Sequence, residues 1–319
     1  MSSAPLTLAF VMDPPQTIDV SADTTFALML EAQSRGHRIL YIDPADLAIW
    51  DKQARALVRP ITLRRDSARP AELGEPEWVV LDDAVDAAFQ RVDPPVDAPY
   101  IYATQILALC RRTRVYNRPE GILGANEKLY TLHFPELMPE TVVTRDATQL
   151  LEFMDKMGGE AVVKPLDGKG GEGVFHVHLK DRNLNSILEQ STRFGSQRAM
   201  AQRYLPEVRE GDKRILLLDG ELLGAVLRVP AESEIRANLH VGGRAVRAEV
   251  DGRDREIIER VGPRLREDGL VFVGIDVIGG RLTEVNVTSP TGIQEMARLD
   301  GQPYEKRVID WVESRSSAA

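Results

Sequence analysis

Short apolar runs alternate with mixed apolar and polar segments along this chain. An apolar run over residues 6–12 is followed by a mixed segment over residues 23–35, which ends at Gly36, and then by an apolar run over residues 38–42. This order predicts a strand, a helix that stops at a glycine and a second strand, so a parallel sheet is expected there. Further strand-length runs alternate with helix-length segments downstream. The pattern therefore predicts an α/β protein.

Near the C-terminus, two β-branched runs flank Gly279-Gly280, which is the pattern of a β-hairpin. Glu284 and Asn286 are two residues apart, so both project from the same face of their strand. A two-residue Gly-Gly turn would pair Asp276 with Thr283 and place it on the face opposite Glu284, whereas a three-residue loop, with a glycine in the left-handed region making a bulge, would pair Asp276 with Glu284. Two carboxylates and a carboxamide on one face suit Mg²⁺, so the metal hypothesis predicts the longer loop. An ordinary hairpin with its polar side chains in water is the alternative.

A glycine-rich loop follows a second strand pattern that ends at Lys164. Four of the six residues 168–173 are glycine, and Lys169 lies among them. Successive glycines allow backbone N–H groups to surround phosphate oxygens, and the two lysines add positive charge. The loop lacks the Gly-Lys-Ser/Thr ending of a Walker A motif, and a strand pattern follows it rather than a helix. A phosphate-binding loop is favoured, with a flexible hairpin loop as the alternative.

Two arginines lie near the ends of apolar runs further along the chain. The guanidinium groups of Arg214 and Arg228 can each hold a phosphate or a carboxylate through two hydrogen bonds. The segment over residues 230–244 is polar and contains two adjacent glycines that can act as a hinge. It is interpreted as a lid that closes over a site, with a disordered surface loop as the alternative.

Two histidines and the single cysteine are assigned no chemistry. His176 and His178 alternate along the strand after the glycine loop, but no carboxylate or cysteine accompanies them in the sequence, so an exposed strand face is favoured over a metal pair. Cys110 lies in a helix predicted over residues 100–112 and has no recognisable activating partner. It is expected to be a buried structural thiol.

Composition excludes several classes of protein. The chain has 319 residues, of which 43% are hydrophobic and 28% charged, which is ordinary for a globular protein of two domains or of one domain with a large insertion. A net charge of −9 argues against a nucleic-acid surface. Without an apolar run of ~20 residues or a signal-peptide pattern, no membrane segment is expected. A single cysteine fits the reducing cytoplasm.

The first strand lacks a dinucleotide-binding motif. It is followed by Met12-Asp13-Pro14-Pro15 where Gly-x-Gly-x-x-Gly would be needed, so a nicotinamide site is not expected.

Taken together, these motifs resemble the ATP-grasp superfamily. The likeness rests on the spacing of Lys128, Val162-Val-Lys164-Pro with its glycine loop, Asp212-Lys-Arg214, Asp276 and Glu284-x-Asn286. Longer stretches are similar to the bacterial glutathione synthetases in particular: Val11-Met-Asp-Pro14, Asp93-Pro-Pro95, Tyr100-Ile-Tyr-Ala-Thr104, Asn126-Glu-Lys128-Leu129, Lys164-Pro-Leu-Asp-Gly168, Gly211-Asp-Lys-Arg214, Asn238-x-x-x-Gly242-Gly-Arg244 and Thr283-Glu-Val-Asn-Val-Thr-Ser-Pro290. The resemblance extends from about Leu6 to Trp311. Two departures are Ala231-Glu-Ser233, where Gly-Gly is usual before the glutamate, and Val92, where a lysine is usual.

The resemblance implies an N-terminal parallel-sheet domain of the pre-ATP-grasp type, followed by an ATP-grasp fold of two α+β subdomains. The implied boundaries are residues 1–123 for the N-terminal domain on the substrate side and residues 124–202 for the lid subdomain. The C-terminal subdomain, residues 203–316, would carry the metal site and the flexible loop over residues 229–245.

The resemblance also implies roles for individual residues. The nucleotide-binding residues would be Lys128, Lys164, Gly168, Gly170, Gly171, Gln202, Tyr204, Leu205 and Asp212. The ligands of Mg²⁺, with Mn²⁺ as an alternative ion, would be Asp276, Glu284 and Asn286. The residues that face the substrate and the transferring phosphate would be Arg214, Arg228, Arg236 and Asn238.

The activity implied is the ATP-dependent ligation of γ-L-glutamyl-L-cysteine with glycine through an acyl phosphate, in a cytoplasmic homo-oligomer that the family suggests is a tetramer. Two alternatives remain at this stage. A different ATP-grasp ligase would share the nucleotide-binding half and join other amino acids or peptides. A nucleotide-binding scaffold would carry out no ligation.

Overall fold

The structure is a computed structural model that describes residues 4–168, 170–231, 234, 236–237 and 242–316. The described residues form three β-sheets, which follow one another along the chain. Helices cover the sheets and connect them. These are α1 (Thr24–Ser34), α2 (Leu81–Ala84), α3 (Ala98–Leu107), α4 (Pro119–Gly124), α5 (Ala147–Lys156), α6 (Leu184–Ser191), α7 (Gly252–Asp268), α8 (Ile293–Asp300) and α9 (Tyr304–Ser316). Single 3₁₀ turns are found at Pro15–Thr17, Pro44–Asp46, Leu129–His133 and Pro206–Arg209.

The first sheet has a parallel centre and an antiparallel edge. Its strands are β1 (Thr7–Val11), β2 (Arg38–Ile42), β3 (Leu47–Trp50), β4 (Gln53–Leu63), β5 (Ala71–Leu73), β6 (Glu77–Val80), β7 (Ala87–Gln90) and β8 (Arg114–Tyr116). The order is β3-β4-β2-β1-β7-β8, and β5 and β6 also pair with β4. Pairing is parallel from β2 through β1 and β7 to β8. The parallel opening that the sequence predicts is therefore confirmed.

Helix α1 begins and ends where its sequence signals predict. The Asp23 carboxylate accepts a hydrogen bond from the Phe26 N–H at 2.8 Å, which satisfies one of the free donors at the start of the helix. Just beyond the C-terminus, Gly36 adopts a φ of 84°, which glycine reaches without steric cost. The apolar face of α1 packs against the first sheet and against α9.

One predicted helix is shorter than expected, and a nearby segment forms a 3₁₀ turn in place of a helix. The helix expected over residues 100–112 ends at Leu107, because the N–H groups of Arg111 and Arg112 instead donate to the Asp82 carboxylate at 2.9–3.0 Å. After Asn126 the chain forms only the single 3₁₀ turn that begins at Leu129. In both places a side-chain carboxylate or amide competes successfully with the helical hydrogen bonds.

The second sheet has an apolar face and a polar face. Its strands are β9 (Thr141–Thr144), β10 (Glu160–Pro165), β11 (Phe175–His178) and β12 (Ala199–Gln202), in the antiparallel order β11-β10-β12-β9. Ala161 and Val163 of β10 are fully buried with side chains of α5 and α6. Because side chains alternate along a strand, Val162 and Lys164 point to the opposite face. That face borders a large cavity.

The third sheet is antiparallel and is also covered on one side by a helix. Its strands are β13 (Asp212–Leu218), β14 (Glu221–Val229), β15 (Arg244–Arg247), β16 (Phe272–Ile278) and β17 (Arg281–Asn286), in the order β15-β14-β13-β16-β17. Apolar side chains of β13 and β16, such as Ile215 and Ile275, pack against α7. On the opposite face, Leu216 and Phe272 pack with side chains of α8 and α9, whereas Arg214 and Asp276 line the same cavity.

The hairpin of β16 and β17 places its polar side chains as predicted, but by a different device. Ile278 pairs with Arg281, so the loop is the two-residue turn Gly279-Gly280, and the predicted three-residue loop is wrong. The pairing shifts by one residue at Thr283, and Asp276 lies opposite Glu284. A β-bulge inside β17 thus places Asp276 and Glu284 on the same face, an effect that was predicted to come from a longer loop.

No helix in the described ranges is both long enough and apolar enough to cross a bilayer.

Candidate active site

A cavity of about 1040 Å³ lies where the three sheets meet. The carboxyl ends of β1 and β7, the polar face of the second sheet and the polar face of the third sheet all contribute walls. Among the described residues, every site residue proposed from the sequence lines this cavity: Lys128, Lys164, Gly168, Gly170, Gly171, Gln202, Tyr204, Leu205, Asp212, Arg214, Arg228, Arg236, Asp276, Glu284 and Asn286. Asn238 lies outside the described residues.

Strand register brings the charged residues of the third sheet together. Arg214 pairs with Asp276 across β13 and β16, and Arg228 pairs with Asp212 across β14 and β13. Directly paired residues share a face, so one row of charges crosses four strands and ends at Glu284. This row faces the cavity.

Asp276 is held by two arginines. The Arg214 Nη2 and Arg228 Nη2 atoms each lie 2.9 Å from Asp276 Oδ2, and Arg214 Nε donates to the other carboxylate oxygen. Burial disfavours the charged carboxylate, but the two guanidinium groups outweigh it and hold the pKa of Asp276 well below its usual range. Asp276 is therefore ionised at neutral pH.

Arg228 also contacts Asp212, at 2.5 Å between Nη2 and Oδ2. Burial and the neighbouring carboxylate of Asp276 raise the pKa of Asp212, against the opposing effect of Arg228. Burial lowers the pKa of Arg228, but Asp212 and Asp276 together raise it above its ordinary value. Arg228 therefore stays charged and compensates two buried carboxylates at once.

Two lysines contact β17: Lys164, from strand β10 of the second sheet, and Lys128, which directly precedes the 3₁₀ turn at Leu129–His133. The Lys164 Nζ atom donates to the backbone oxygen of Thr283 at 3.2 Å, which is the carbonyl exposed by the bulge. Lys128 Nζ lies 2.8 Å from the Gly168 oxygen and 3.2 Å from Glu284 Oε1. Burial lowers the pKa of Lys164 to about 8, although Glu284 acts in the opposite direction. Both ammonium groups thus lie between the glycine loop and the predicted metal ligands.

The glycine loop is packed too closely for larger residues. A Cβ atom at Gly168 would lie 2.9 Å from the Glu172 oxygen and 2.9 Å from Pro165 Cγ. At the far side of the loop, Arg236 Nη1 donates to the Gly171 oxygen at 3.3 Å. The described part of the polar segment after β14 therefore contacts the glycine loop over the cavity.

The end of β12 forms another wall of the cavity. The Gln202 amide donates to Thr141 Oγ1 at 3.0 Å, which orients the side chain. The Tyr204 ring stacks on His176, with 3.8 Å between the ring centroids and 13° between the planes. Leu205, which follows, is 7% exposed. A flat, mainly apolar wall of this kind is suited to a nucleotide base.

Three buried polar atoms at the cavity have no hydrogen-bond partner among the described residues. They are Arg91 Nη1, Asp212 Oδ1 and Arg228 Nε. Buried charged groups are normally satisfied, so unpaired atoms along one cavity indicate a charged, polar ligand. The cavity thus presents cationic side chains to the anionic groups of a ligand and carboxylates to its cationic groups.

Two residues of the cavity wall, Arg91 and Glu127, were not predicted from the sequence. Arg91 directly follows β7, at the carboxyl end of a parallel strand, which is where α/β sheets bind ligands; that position was a usable signal. The Glu127 carboxylate accepts hydrogen bonds from the N–H groups of Val287 and Thr288 at 2.9 and 3.1 Å. Burial and the nearby Glu284 raise the pKa of Glu127. Only the folded chain brings Glu127 and Glu284 together.

The residues proposed as metal ligands are suited to a hard cation. The Asn286 Nδ2 atom donates to the Gly274 oxygen at 3.2 Å, which leaves the amide oxygen available on the cavity side. Glu284 and Asp276 add carboxylate oxygens from the same face of the hairpin. Asp276 Oδ1 accepts from Arg214 Nε alone, so its second lone pair leaves that oxygen able to coordinate an ion. An all-oxygen donor set fits Mg²⁺.

The prediction for the histidines was incomplete, and that for the cysteine is only partly correct, since Cys110 lies beyond the end of α3 and is not fully buried. A carboxylate does accompany His176 and His178, because Glu160 pairs with His178 across β10 and β11. Cys110 is half-buried, and burial together with Asp82 raises the pKa of its thiol to about 12. At neutral pH this thiol is therefore protonated and unreactive.

Solved structures place the fold in a known class. D-cycloserine synthetase DcsG aligns with a TM-score of 0.67 at 15% identity, over 97% of this chain and 99% of that chain. The ATP-grasp ligase PsnB aligns with a TM-score of 0.62 at 17% identity, over 98% and 99%. The fold is therefore that of the ATP-grasp proteins, as predicted.

Sequence relationships define the family within that class. The model of the prokaryotic glutathione synthetase N-terminal domain matches residues 6–122, and that of the prokaryotic glutathione synthetase ATP-grasp domain matches residues 127–301. The chain belongs to the prokaryotic glutathione synthetase family. The glutathione synthetase of Gloeobacter violaceus is 48% identical over 312 residues, covering 96% of each chain. That of Synechocystis is 46% identical over 319 residues, covering 97% of this chain and 99% of the relative. The predicted family is confirmed.

Proposed function

We propose that this chain uses ATP to join γ-L-glutamyl-L-cysteine to glycine, forming glutathione, ADP and phosphate through an acyl phosphate. It is an ATP-dependent carboxylate–amine ligase of the family identified above. The observation that carries the proposal is the cavity, where two lysines and two arginines from separate parts of the chain surround a row of carboxylates. That arrangement suits a reaction in which phosphate and carboxylate groups must approach one another.

The ligation requires activation of the dipeptide carboxylate. Its oxygen attacks the γ-phosphorus of ATP, the bond from phosphorus to the bridging oxygen breaks, and ADP leaves. The glycine amine then attacks the acyl carbon, phosphate leaves, and the amine nitrogen loses a proton. Phosphoryl transfer needs positioning and charge neutralisation more than covalent help from the protein. This agrees with a site rich in arginine and lysine.

The nucleotide is proposed to lie between the second and third sheets. Lys128 and Lys164 would contact its phosphates beneath the glycine loop, and the wall formed by Gln202, Tyr204 and Leu205 would contact adenine. When bound at Asp276, Glu284 and Asn286, Mg²⁺ would neutralise charge on the phosphate oxygens, and Mn²⁺ is the alternative ion. Arg214, Arg228 and Arg236 would face the transferring phosphate, and Asn238 is proposed to belong to the same group.

The dipeptide is proposed to lie against the first sheet. Arg91 is 5% exposed, lines the cavity and has its Nη1 atom unpaired among the described residues. Asp13 and Asp93 line the same wall, and the Asp93 N–H donates to Asp13 Oδ2 at 2.9 Å. A guanidinium beside two carboxylates complements the carboxylate and ammonium groups of an amino acid or peptide.

Phosphate release, measured as each substrate is omitted in turn, tests the function. Release that requires ATP, Mg²⁺, γ-glutamylcysteine and glycine together, with glutathione identified by mass, is the expected result. Phosphate release that does not depend on the dipeptide would support the nucleotide site but would refute γ-glutamylcysteine as the substrate. A protein that binds ATP without releasing phosphate under any combination would be a scaffold.

The affinity for Mg²⁺–ADP is expected to fall as the pH rises above the pKa of Lys164, which is about 8 in the free protein. Phosphate oxygens favour the charged lysine, so its pKa rises on binding and a proton is taken up when the pH exceeds 8. Below that pH the lysine is already charged and the effect disappears. Linkage predicts binding roughly tenfold weaker at pH 9 than at pH 7.

Calorimetry in buffers of different ionisation enthalpy would measure both the affinity and the proton uptake. Lys164→Arg is the matched control, because arginine stays charged throughout this range and should flatten the profile. An equally steep profile in that variant would assign the pH dependence to another group.

Replacing Arg91 by lysine is expected to raise the KM for γ-glutamylcysteine by about tenfold while the KM for ATP stays unchanged. Lysine keeps the positive charge but loses the planar fork, which here contacts Thr25 Oγ1 and the Pro290 oxygen, both at 3.0 Å. Steady-state kinetics with each substrate varied would measure the two constants. Arg59→Lys, which alters a half-buried ion pair with Asp46 on the same sheet, is the control. If the KM for ATP changed instead, Arg91 would be assigned to nucleotide binding rather than to dipeptide binding.

Three structural units are proposed to divide these tasks: residues 1–123, residues 124–202 and residues 203–316 with the loop over residues 229–245. In support, each of the three sheets falls entirely within one of these ranges. The contacts of Lys128 and Lys164 with β17 would then join the second unit to the third.

A homo-oligomer, a tetramer by family resemblance, is the proposed quaternary state, and the cytoplasm is the proposed compartment. In support of association, three large apolar side chains on β3 and β6 are 55–68% exposed: Ile49, Trp50 and Trp78. In support of the compartment, the single Cys110 has no second cysteine in the chain with which to form a disulfide.

A further inference from the structure

The second sheet carries a group of potential metal ligands at the end of β10 farthest from Lys164. This His–Glu cluster consists of Glu160 on β10 and of His176 and His178 on the edge strand β11. His176 and His178 are two residues apart, so they share a face of the strand. Glu160 is directly opposite His178 and therefore lies on that face too.

The three side chains converge on one point. The Nε2 atom of His176 lies 2.8 Å from Glu160 Oε2, and that of His178 lies 3.7 Å from the same oxygen. One ligand atom from each residue can be chosen so that all lie within 4.8 Å of one another. Ligand atoms on a tetrahedral zinc ion are about 3.3 Å apart, so small side-chain rotations would suffice.

We infer that the His–Glu cluster is a binding site for a zinc-like divalent transition metal, separate from the magnesium site of the ligase reaction. Two imidazoles and a carboxylate suit Zn²⁺, Co²⁺ or Ni²⁺, whereas Mg²⁺ prefers oxygen ligands alone. Three protein ligands leave one tetrahedral position for water or an external group. His178 is 56% exposed at its side chain, so an ion can enter from solvent.

A simple ion pair explains less of this geometry. A hydrogen bond between Glu160 and His176 would need one histidine, yet a second imidazole is directed at the same carboxylate oxygen. The His176 and His178 rings also lie only 4.6 Å apart between centroids. A bound cation would use a lone pair of each ring and would account for their close approach.

The cluster is distinct from the reaction centre but touches its nucleotide wall. Glu160 precedes Lys164 by four residues on one strand, a separation of roughly 13 Å. His176 nevertheless stacks on Tyr204, which lines the cavity. An ion bound to His176 would therefore restrain the ring against which the proposed adenine wall rests.

Zinc titration of the full chain by calorimetry tests the site, with Mg²⁺ saturating and with nucleotide and thiols left out. Saturable binding of one Zn²⁺ per chain is expected. His178→Ala and Glu160→Gln should each weaken it by at least about tenfold. His178 is the preferred position because its exposed side chain is not stacked on Tyr204. Circular dichroism would verify that both variants remain folded.

Two matched variants control for other ligands. His133→Ala removes a histidine that packs beside Tyr130, away from the cluster, and Cys110→Ser removes the thiol; both should leave zinc affinity unchanged. Co²⁺ should give visible absorption bands that disappear in His178→Ala. Zinc affinity equal in the wild type and in both cluster variants would overturn the inference, as would the absence of saturable binding. Neither outcome would affect the phosphate-release test of the ligase.

Discussion

Replacing Glu284 by glutamine is expected to lower turnover by at least about a hundredfold and to leave the fold intact. Glu284 is paired with Lys128 at 3.2 Å and faces the cavity beside Asp276. Glutamine keeps the shape and an oxygen acceptor but removes the negative charge that a divalent cation requires. The register of β17 is set by main-chain hydrogen bonds and by the bulge, which the substitution does not alter.

The measurement is kcat at saturating substrates, together with the Mg²⁺ concentration that gives half-maximal activity. That concentration should rise in Glu284→Gln if the lost function is metal binding. Glu221→Gln is the control, because Glu221 lies at a hairpin turn with a side chain that is 78% exposed. Near-normal turnover, or a loss without any change in Mg²⁺ dependence, would contradict the metal assignment.

Replacing Arg228 by methionine is expected to lower the free energy of unfolding by about 3 kcal/mol. Arg228 is 5% exposed and its Nη2 atom contacts both Asp212 and Asp276. Asp276 would keep Arg214, but Asp212 would lose its guanidinium partner and would either stay charged without compensation or take up a proton, and both cost free energy. An uncompensated buried charge costs more than the ion pair contributes, so the loss should be large.

Urea unfolding of Arg228→Met and of the double variant Arg228→Met/Asp212→Asn would test this account. Removing the uncompensated carboxylate should restore more than half of the lost stability, while activity should stay low in both proteins. Arg59→Met, which breaks a half-exposed ion pair with Asp46, should cost about 1 kcal/mol or less. If the double variant were no more stable than the single one, lost packing rather than charge would explain the result.

Much of the local structure could be predicted because it depends on neighbouring residues. Strand β2 was expected over residues 38–42 and is observed there, because an apolar run between turn residues is a local signal. Helix α1 was delimited by Asp23 and Gly36 for the same reason. The common face of Glu284 and Asn286 follows from strand alternation alone.

Cross-strand contacts were harder to predict. The carboxylate beside His176 and His178 comes from Glu160, which precedes the glycine loop and meets them only when β10 and β11 pair. The position of Arg91 at the cavity depends on a long-range contact with the Pro290 oxygen, in the segment between β17 and α8. Neither contact produces a periodic pattern of residues in the sequence.

In the hairpin of β16 and β17, one feature could be predicted from the sequence and another depends on how the sheets pack. Its composition determined that Asp276, Glu284 and Asn286 are carried on two adjacent strands, since β-branched runs around two glycines form a hairpin whatever surrounds them. The position of the extra residue was settled by packing. With the bulge at Thr283, Leu282 and Val285 are fully buried beside α7, and the freed Thr283 carbonyl meets Lys164 of another sheet. Side-chain alternation is a property of the strand itself, whereas a bulge is stabilised by contacts made only after the sheets assemble.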